Sequence, residues 1–374
     1  MTPTHIQDDD RDNEKILRYS DELQIQYDDN DQPVEFGRGV WSTVYKASSV
    51  PHPATSMLTP PSSPATGGGR IVAVKSPARR DAYPVLKTEA RILTRLARAE
   101  GAGHHVVAFW GTTPRNNALV MESVPVTLSG YIEEQADILR AKQCTKTIFE
   151  PVLGFQRWLR LCKALVRGLA WLHDNPEVGV VHGDIKPHNI LLRPVRGRTT
   201  SHTIRDNSQA GDNDCDDFPY DPVFADFSSS HELFATSNNP NANTTPSAMT
   251  ALTPPFTAPE LLVVSSLKSP DALPTPPSDV FSLAVTLLAA ATGDLLLYPG
   301  ANHMQRLAMA REGHRVVEFA RSGMSGSRIR KGGIVERVIQ PAVVKQPEER
   351  ISTGKWANTI EGILESELEG KRGG

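Results

Sequence analysis

The chain has 374 residues, of which 39% are hydrophobic, and its formal net charge is −3. This length and hydrophobic content suffice for one large domain, or for two lobes with a sizeable core. The charge balance provides no basic field that would favour nucleic acid or an anionic membrane as a partner. The cysteines, Cys144, Cys162 and Cys215, form no CxxC pair, and their odd number indicates a reducing compartment rather than a disulfide framework.

The first 32 residues are acidic and poor in apolar side chains, so residues 1–32 are expected to form a disordered tail. They contain no apolar segment of the kind that signal peptides have. The most apolar run, Leu283 to Tyr298, is interrupted by Gly293 and Asp294 and is shorter than the roughly 20 residues of a membrane span. These features predict a soluble intracellular protein, cytoplasmic or nuclear, with neither membrane nor nucleic acid as a partner.

Short runs with β-strand character follow the tail. VEFGRG, STVYKAS and IVAVKSP predict strands, as do VVAFWGTT (106–113) and ALVMESV (118–124). Residues 83–99 predict a helix, because their apolar side chains recur at helical spacing. The Pro-, Ser- and Gly-rich residues 48–69 are expected to form a loop. The first 124 residues therefore predict strands with one helix.

The remainder of the chain has mainly helical patterns. Residues 155–175 predict a long amphipathic helix, Ser278 to Thr292 a more apolar one, and Trp356 to Leu368 a final one. Two polar inserts, at about 193–221 and 235–255, are expected to be surface loops.

Two motifs near the start of the chain have residues suited to binding phosphate. The run GRGVWSTV at 37–44 follows a strand-like run, and its glycines permit a turn whose N–H groups approach phosphate oxygens closely. An ordinary hairpin with turn glycines explains this run equally well. The run VAVK ends a predicted strand with Lys75, which can hold phosphates if an acid fixes its position. Glu89 on the following helix is the natural partner, although both side chains would more commonly be solvated.

A twelve-residue run, VHGDIKPHNILL at 181–192, is much more specific. Its apolar ends would be buried, so that the loop between them presents Asp184, Lys186 and Asn189 together. Phosphoryl transfer to a hydroxyl group needs an acceptor for the proton, a cation near the γ-phosphate and an oxygen ligand for Mg²⁺. These three side chains can supply those functions in turn.

A further acid, Asp226 in FADFS (224–228), follows a β-like run beside an aromatic residue and can chelate Mg²⁺. Without the earlier motifs, a solvated Asp at a strand end would be the better interpretation.

Together these motifs resemble the eukaryotic protein kinase family, Ser/Thr type. The resemblance extends to TAPE (257–260), DVFSL (279–283) and PEERIS (347–352), whose Arg350 is expected to pair with Glu260. It implies an α+β, two-lobed fold: a small antiparallel sheet lobe with one helix at 33–124, which binds ATP, and a larger, mainly helical catalytic lobe at 125–374.

The resemblance also implies a role for each matching residue. Asp184 and Lys186 would be catalytic, and Asn189 and Asp226 would hold Mg²⁺. A protein with Ser/Thr acceptors would be the substrate and ATP the donor. Residues that would contact the nucleotide are Gly37, Gly39, Val44, Ala73, Lys75, Glu89, Glu122 and Val124.

Two departures from the family pattern bear on function. Gly183 stands where an arginine usually precedes the catalytic aspartate, so phosphorylation of the activation segment is not expected to be the main switch. Ser228 replaces a glycine; if its backbone had φ > 0, the Cβ would cost about 1 kcal/mol and could misplace Asp226. Thr-Pro-Pro occurs at Thr59, Thr253 and Thr275, for which compositional bias is the preferred explanation and phosphorylation by proline-directed kinases the alternative.

Two other functions compete with a Ser/Thr protein kinase. The departures at Gly183 and Ser228 support a pseudokinase that acts as a binding or scaffold module. His182-Gly183-Asp184 with Asn189 also resembles small-molecule kinases of the aminoglycoside or choline type, but the residues matched in the C-terminal half argue against that class.

Overall fold

The computed structural model of the chain describes residues 16–50, 69–142, 148–195, 218–233, 253–263, 266, 273–298 and 302–372. The start of the expected tail, most of the loop at 48–69, most of both polar inserts and Thr59 lie outside these ranges. The described residues belong to two compact units, of which the first ends at Pro125 and the second begins at Val126. We call them the sheet unit and the helical unit.

The sheet unit contains an antiparallel sheet. Its strands are β1 (Glu22–Ile25), β2 (Glu35–Arg38), β3 (Ser42–Val50), β4 (Arg70–Pro77), β5 (Phe109–Thr112) and β6 (Leu119–Glu122). They lie in the order β1-β3-β4-β6-β5, and β2 pairs with β3. The last five strands confirm the five strands predicted from the sequence.

Strand β1 differs from the expectation that residues 1–32 form a disordered tail. It pairs antiparallel with the end of β3, with Leu23 opposite Ser49 and Ile25 opposite Ala47. Leu23 and Ile25 are the alternate apolar residues of an otherwise polar segment, and they pack on a buried cluster in the sheet. One apolar face is sufficient for an antiparallel strand whose other face is solvated. The expectation of disorder therefore does not hold for this part of the tail.

Alternation along β4 separates the two faces of the sheet. Val72 and Val74 belong to the buried cluster, together with residues from β3 and β6. Because successive side chains of a strand point to opposite faces, Ala73 and Lys75 lie on the other face. Helix α1 (Tyr83–Arg98) follows β4, has a proline in its first turn and confirms the helix predicted at 83–99.

The helical unit contains the rest of the fold. Its helices are α2 (Leu128–Lys142), α3 (Phe155–Asp174), α4 (Pro276–Thr292), α5 (His303–Arg311), α6 (Val316–Arg321), α7 (Ile334–Ile339) and α8 (Thr353–Arg372). Two short antiparallel pairs accompany them, one between β7 (Val180–Val181) and β10 (His231–Glu232), the other between β8 (Ile190–Pro194) and β9 (Tyr220–Phe224). The predicted helices correspond to α3, α4 and α8, and the observed secondary structure confirms the α+β class.

Helix α4 forms the centre of the helical unit. Every residue from Ser278 to Thr292 is buried, as expected for a helix that is apolar on all sides. Thr275 caps its first turn by accepting a hydrogen bond from the Ser278 N–H group, so this Thr-Pro-Pro threonine has a structural role. The Trp158 indole N–H of α3 donates to the Leu287 carbonyl at 2.9 Å. Within the described ranges, no helix combines the length and apolarity needed to cross a membrane.

Arg350, in the segment before α8, is hydrogen-bonded to several other parts of the helical unit. Its guanidinium group donates to both carboxylate oxygens of Glu260 at 2.7 Å, and also to the backbone carbonyls of Val344 and Pro277. This geometry confirms the expected Glu260–Arg350 pair. Arg350 is only 7% exposed, so the fork-shaped contact is largely shielded from water.

We predict that Arg350→Ala lowers the free energy of unfolding by about 2–3 kcal/mol, because the partly buried Glu260 carboxylate and two carbonyls lose their partner. Arg315→Ala is the matched control. Arg315 also pairs with two glutamates, but its side chain is 48% exposed, so its loss should lower the free energy of unfolding far less. Urea unfolding of both variants measures the difference, and equal losses would contradict the prediction.

Candidate active site

In the sheet unit, Lys75 and Glu89 form a buried ion pair. The Lys75 Nζ atom lies 2.7 Å from each carboxylate oxygen of Glu89. Lys75 is 4% exposed and Glu89 1% exposed. Buried charges persist only when they are paired, so the pair fixes the ammonium group on the face of β4 opposite the buried cluster. The structure thus brings these two predicted site residues together.

The glycines of the GRGVWSTV run lie in a hairpin between β2 and β3. Gly37 is opposite Val44, and the Gly39 N–H group donates to the Ser42 carbonyl at 2.8 Å. A Cβ added at Gly37 would meet no atom within 4 Å, and one at Gly39 would meet only the Ser42 carbonyl at 3.8 Å. The hairpin itself therefore does not require these glycines. Their lack of a side chain leaves the backbone open to close approach by a ligand.

Glu122 and Val124, two of the residues expected to contact the nucleotide, lie at and just beyond the end of β6. Register places Ala73 opposite Met121 and Val72 opposite Glu122 on the neighbouring strand. The Glu122 N–H group is used within the sheet unit, where it donates to the Ala108 carbonyl at 2.9 Å. Val124 is 8% exposed. Ala73 and the end of β6 are therefore neighbours in the sheet.

In the helical unit, three side chains of the VHGDIKPHNILL loop converge. The Lys186 Nζ atom donates to Asp184 Oδ2 at 2.6 Å. The Asn189 side-chain amide donates to Asp184 Oδ2 at 3.0 Å and to the Asp184 carbonyl at 2.8 Å. Both N–H groups of the Asn189 amide thus point at Asp184, so its Oδ1 atom is the one that can coordinate a cation. The sequence prediction that these residues are presented together is confirmed.

The Asp184 carboxyl is tuned by opposing effects. The net result is a pKa raised to about 6, with burial as the main cause and the negative charge of Asp226 acting in the same direction. The charge and hydrogen bond of Lys186 and the hydrogen bond of Asn189 lower the pKa and so limit the rise. A carboxyl with a pKa just below neutrality can accept a proton and release it again near physiological pH.

A deeply buried carboxylate holds the start of this loop. Asp279 of α4 accepts hydrogen bonds from the His182 and Gly183 N–H groups at 2.8 and 2.9 Å, and its Oδ2 atom lies 3.0 Å from His173 Nε2. Burial raises the pKa of the Asp279 carboxyl, but these partners outweigh burial and hold the pKa below its usual value. Asp279 is therefore an ionised anchor for the backbone just before Asp184.

The His182 side chain connects the loop at 181–192, which we call the catalytic loop after the role that the resemblance implies, to the segment that carries Asp226. Burial lowers the His182 pKa, which favours the neutral ring. In the tautomer that satisfies both contacts, Nε2 donates to the Ala225 carbonyl at 3.1 Å and Nδ1 accepts from the Asp184 N–H group at 3.3 Å. His182 also packs against Phe227, with ring centroids 4.8 Å apart. One imidazole thus links Asp184 to the residues on both sides of Asp226.

Backbone strain near Asp226 is not where the sequence indicates. Ser228 does not have the positive φ at which its Cβ would be costly, whereas Asp226 does have a positive φ, of +62°. The Ala225 N–H group donates to the Asn189 carbonyl at 2.9 Å, which connects the backbones of the two expected Mg²⁺ ligands. Left-handed backbone costs a non-glycine residue energy, and such strain is common at functional sites. The anticipated penalty at Ser228 therefore does not apply.

Gly183 is required by the local backbone. Its φ is +82°, and a Cβ atom there would lie 2.5 Å from the Ser229 carbonyl oxygen and 3.2 Å from Pro274 Cγ. The Ser230 hydroxyl donates to the His182 carbonyl at 2.8 Å, so the segment after Asp226 lies directly on the catalytic loop. An arginine could not occupy this position without moving one of these two segments.

Thr253 is a candidate site residue that the sequence did not reveal. Its hydroxyl accepts a hydrogen bond from Lys186 Nζ at 3.1 Å and lies 3.5 Å from Asp184 Oδ1. Its backbone N–H group donates to the Thr257 hydroxyl at 2.7 Å. The sequence signal that could have identified Thr253 is its position four residues before the TAPE run. From the sequence, we considered Thr253 only as part of a Thr-Pro-Pro repeat. The contacts place Thr253 beside the candidate catalytic pair.

Comparison with known proteins identifies the family. The sequence model described as the protein kinase domain matches residues 65–359, which is more than half of the chain, so the chain belongs to the protein kinase family. This match begins after Gly37, Gly39 and Val44, so it includes Lys75 and the helical-unit site but not the glycine hairpin.

Several plant proteins are similar to parts of the chain. A probable receptor-like protein kinase of Arabidopsis thaliana is 34% identical over 76 residues, 18% of this chain and 9% of that protein. A proline-rich receptor-like protein kinase of Arabidopsis thaliana is 32% identical over 143 residues, 38% of this chain and 17% of that protein. A U-box domain-containing protein of Oryza sativa subsp. japonica is 28% identical over 205 residues, 55% of this chain and 20% of that protein. The chain matches a fifth or less of each relative's length.

We predict that Gly183→Ala destabilises the protein by about 2 kcal/mol, because left-handed backbone costs alanine about 1–2 kcal/mol and the Cβ contact with Ser229 adds to that cost. Gly362→Ala is the control: a Cβ at this position in α8 meets no atom within 4 Å, so stability should rise by about 0.5–1 kcal/mol. Urea unfolding compares them. A Gly183→Ala protein as stable as wild type would show that the loop accommodates a side chain.

Proposed function

We propose that this protein is a Mg²⁺- and ATP-dependent protein kinase that phosphorylates Ser or Thr hydroxyls of protein substrates. The observation that supports this most strongly is the Asp184 carboxylate, which is held by Lys186 and Asn189 and has a pKa raised to about 6. Membership of the protein kinase family supports the same activity.

The proposed roles of the helical-unit residues follow from their contacts. Asp184 accepts the proton of the attacking hydroxyl, and the adjacent Lys186 ammonium group offsets negative charge that develops on the transferred phosphoryl group. Asn189 Oδ1 and the Asp226 carboxylate would hold Mg²⁺; both are oxygen donors of the kind that Mg²⁺ prefers. Bound MgATP would supply the phosphoryl group and a metal that neutralises phosphate charge.

The sheet-unit residues are proposed to bind the nucleotide. Lys75, positioned by Glu89, would hold the α- and β-phosphates as a fixed cation. The open backbone at Gly37 and Gly39 would lie against the phosphates. The expected contacts with the adenosine part are Val44 and Ala73, together with the backbone of residues 122–124.

Acceptor specificity for Ser/Thr rests on Lys186 and its surroundings. Tyrosine kinases of this family usually place other residues two positions after the catalytic aspartate, as the sequence resemblance implies. Thr253 supports the assignment, because its hydroxyl holds the Lys186 ammonium group beside Asp184.

The two alternatives receive less support. Ser228 was one of two departures that favoured a pseudokinase, and its backbone is not left-handed. The other, Gly183, suits the conformation of the catalytic loop. The Glu260–Arg350 pair and the Asp279 anchor, which the resemblance assigns to protein kinases, argue against a small-molecule kinase.

We expect the purified protein to transfer labelled phosphate from MgATP to Ser or Thr of a generic basic protein. Asp184→Asn should reduce this transfer by about 10²–10⁴-fold, because it removes the proton acceptor but keeps the shape of the side chain. Asp137→Asn, which changes an exposed aspartate on α2, is the control and should retain wild-type activity. Phosphoamino-acid analysis identifies the acceptor. ATP binding without transfer by the wild type would instead support the pseudokinase.

The pH dependence of transfer follows from the raised Asp184 pKa. Only the ionised carboxylate accepts a proton, so kcat/KM for the protein substrate should fall as pH decreases through about 6. The fall should approach about tenfold per pH unit at the acidic end, with MgATP saturating at every pH. Circular dichroism at each pH controls for unfolding. A constant kcat/KM between pH 5 and 8 would remove Asp184 from the role of base.

A further inference from the structure

Residues 16–19, which we call the N-terminal strap, run along the edge of the sheet. Arg18 forms a parallel bridge with Thr112 of β5, the last strand in the sheet order. The Thr112 N–H group donates to the Leu17 carbonyl at 2.9 Å, and the Tyr19 N–H group donates to the Thr112 carbonyl at 3.0 Å. The strap lies outside the residues that match the protein kinase domain. It covers backbone groups that an edge strand would otherwise leave unpaired.

One contact of the strap reaches helix α1. The Leu17 N–H group donates to the Thr94 hydroxyl at 3.1 Å. Thr94 is 3% exposed and Ile16 is 6% exposed, so this junction is largely removed from water. The Thr112 hydroxyl donates in turn to the Leu17 carbonyl at 3.3 Å. Leu17 is therefore hydrogen-bonded to both α1 and β5.

The other end of the strap is attached to the opposite face of the sheet. Tyr19 packs against the buried cluster that contains Val72 and Val74, and its hydroxyl makes a short hydrogen bond with the Ser49 hydroxyl. The Ser49 hydroxyl also donates to Asp21 at 3.2 Å. The strap thus crosses the edge of the sheet at β5. One end is hydrogen-bonded to α1 through Leu17, and the other packs through Tyr19 on the face that carries the buried cluster.

Gly111 of β5 lies against the backbone of the strap at Arg18 and Tyr19. Its φ is +135°, and a Cβ there would lie 2.7 Å from the Arg18 carbonyl carbon and 2.8 Å from the Tyr19 nitrogen. Any other residue at this position would push the strap away from β5. The close approach shows that the edge strand and the strap have complementary shapes.

We propose that the N-terminal strap positions helix α1 so that Glu89 meets Lys75, with Thr94 as the positioning residue. Glu89 and Thr94 lie on the same helix five residues apart, about 7.5 Å along its axis. A helix turns and shifts as a rigid rod over such a distance, so a hydrogen bond at Thr94 limits displacement of Glu89. The strap thereby couples the segment before the kinase-domain match to the candidate phosphate-binding lysine.

Thr94→Val removes the acceptor but keeps the side chain's size, and Thr94→Ser retains the hydroxyl. In Thr94→Val we expect amide hydrogen exchange within residues 83–98 to be about tenfold faster, because the buried Leu17 N–H group loses its partner. A small amine-acylating reagent should label Lys75 several-fold faster. Peptides of the helical unit should exchange as in wild type, and Thr94→Ser should restore both rates.

Activity measurements add a readout that rests on the proposed function. The KM for ATP should rise roughly three- to tenfold in Thr94→Val, with a smaller change in kcat, because Lys75 is less well held. Exchange and acylation do not require catalysis, so a wild-type protein without transfer activity would refute the proposed function alone.

Leu17→Pro removes the donor instead of the acceptor and provides the same test if Thr94→Val does not fold. Wild-type exchange across residues 83–98 and wild-type Lys75 labelling in a folded variant would overturn the proposal. Faster exchange throughout the protein would also overturn it, since that would indicate general destabilisation rather than a local clamp.

Discussion

The hydrogen bonds that the Asp279 carboxylate accepts from the catalytic-loop backbone are the constraint on which the candidate site depends. An ionised carboxylate inside a helical core is costly unless every oxygen is satisfied, and here two backbone N–H groups and His173 provide that satisfaction. Because α4 is buried from Ser278 to Thr292, the Asp279 carboxylate cannot move with the loop. The loop must instead adopt the backbone that brings the His182 and Gly183 N–H groups onto Asp279.

Several features of the site follow from that backbone. Gly183 adopts a left-handed conformation, which allows the Ser229 carbonyl to approach closely. His182 is turned inward, where its neutral ring joins the Ala225 carbonyl to the Asp184 N–H group. Asp184 is then only 8% exposed, and this burial is the main reason that its pKa is raised. The carboxylates of Asp279 and Asp184 thus have pKa shifts in opposite directions, because their hydrogen-bond environments differ.

The sequence predicted the parts of the fold and the site that depend on local patterns. Short runs of β-strand character identified β2–β6, and helical periodicity identified α1 and α3. The spacing within 181–192 was sufficient to predict that Asp184, Lys186 and Asn189 lie together. The pairing of Lys75 with Glu89 was also predictable, because strand-to-helix order leaves few other acids near a buried lysine. Strand β1 was missed because its two apolar residues, Leu23 and Ile25, lie within an acidic segment. They stabilise the strand only by packing on the buried cluster of the sheet, which the local sequence does not reveal.

Other features required information that local sequence does not contain. The contact of Thr253 with Lys186 joins residues 67 positions apart, and the contact of Leu17 with Thr94 joins residues 77 positions apart. Neither has a periodic signal. The conformation of Ser228 is set by a tight turn, in which the Ser230 N–H group donates to the Phe227 carbonyl at 3.2 Å. The residue with positive φ is Asp226, before that turn.

The departures from the family pattern have a common structural explanation in the helical unit. At Gly183, the space next to the loop is filled by the Ser229 backbone and Pro274, and Ser230 binds the His182 carbonyl. Backbone pairing of β10 with β7 holds the same segment from its other side. The start of the segment after Asp226 is therefore attached to the catalytic loop by neutral hydrogen bonds within the helical unit. These contacts occupy the space in which the side chain of an arginine at position 183 would begin.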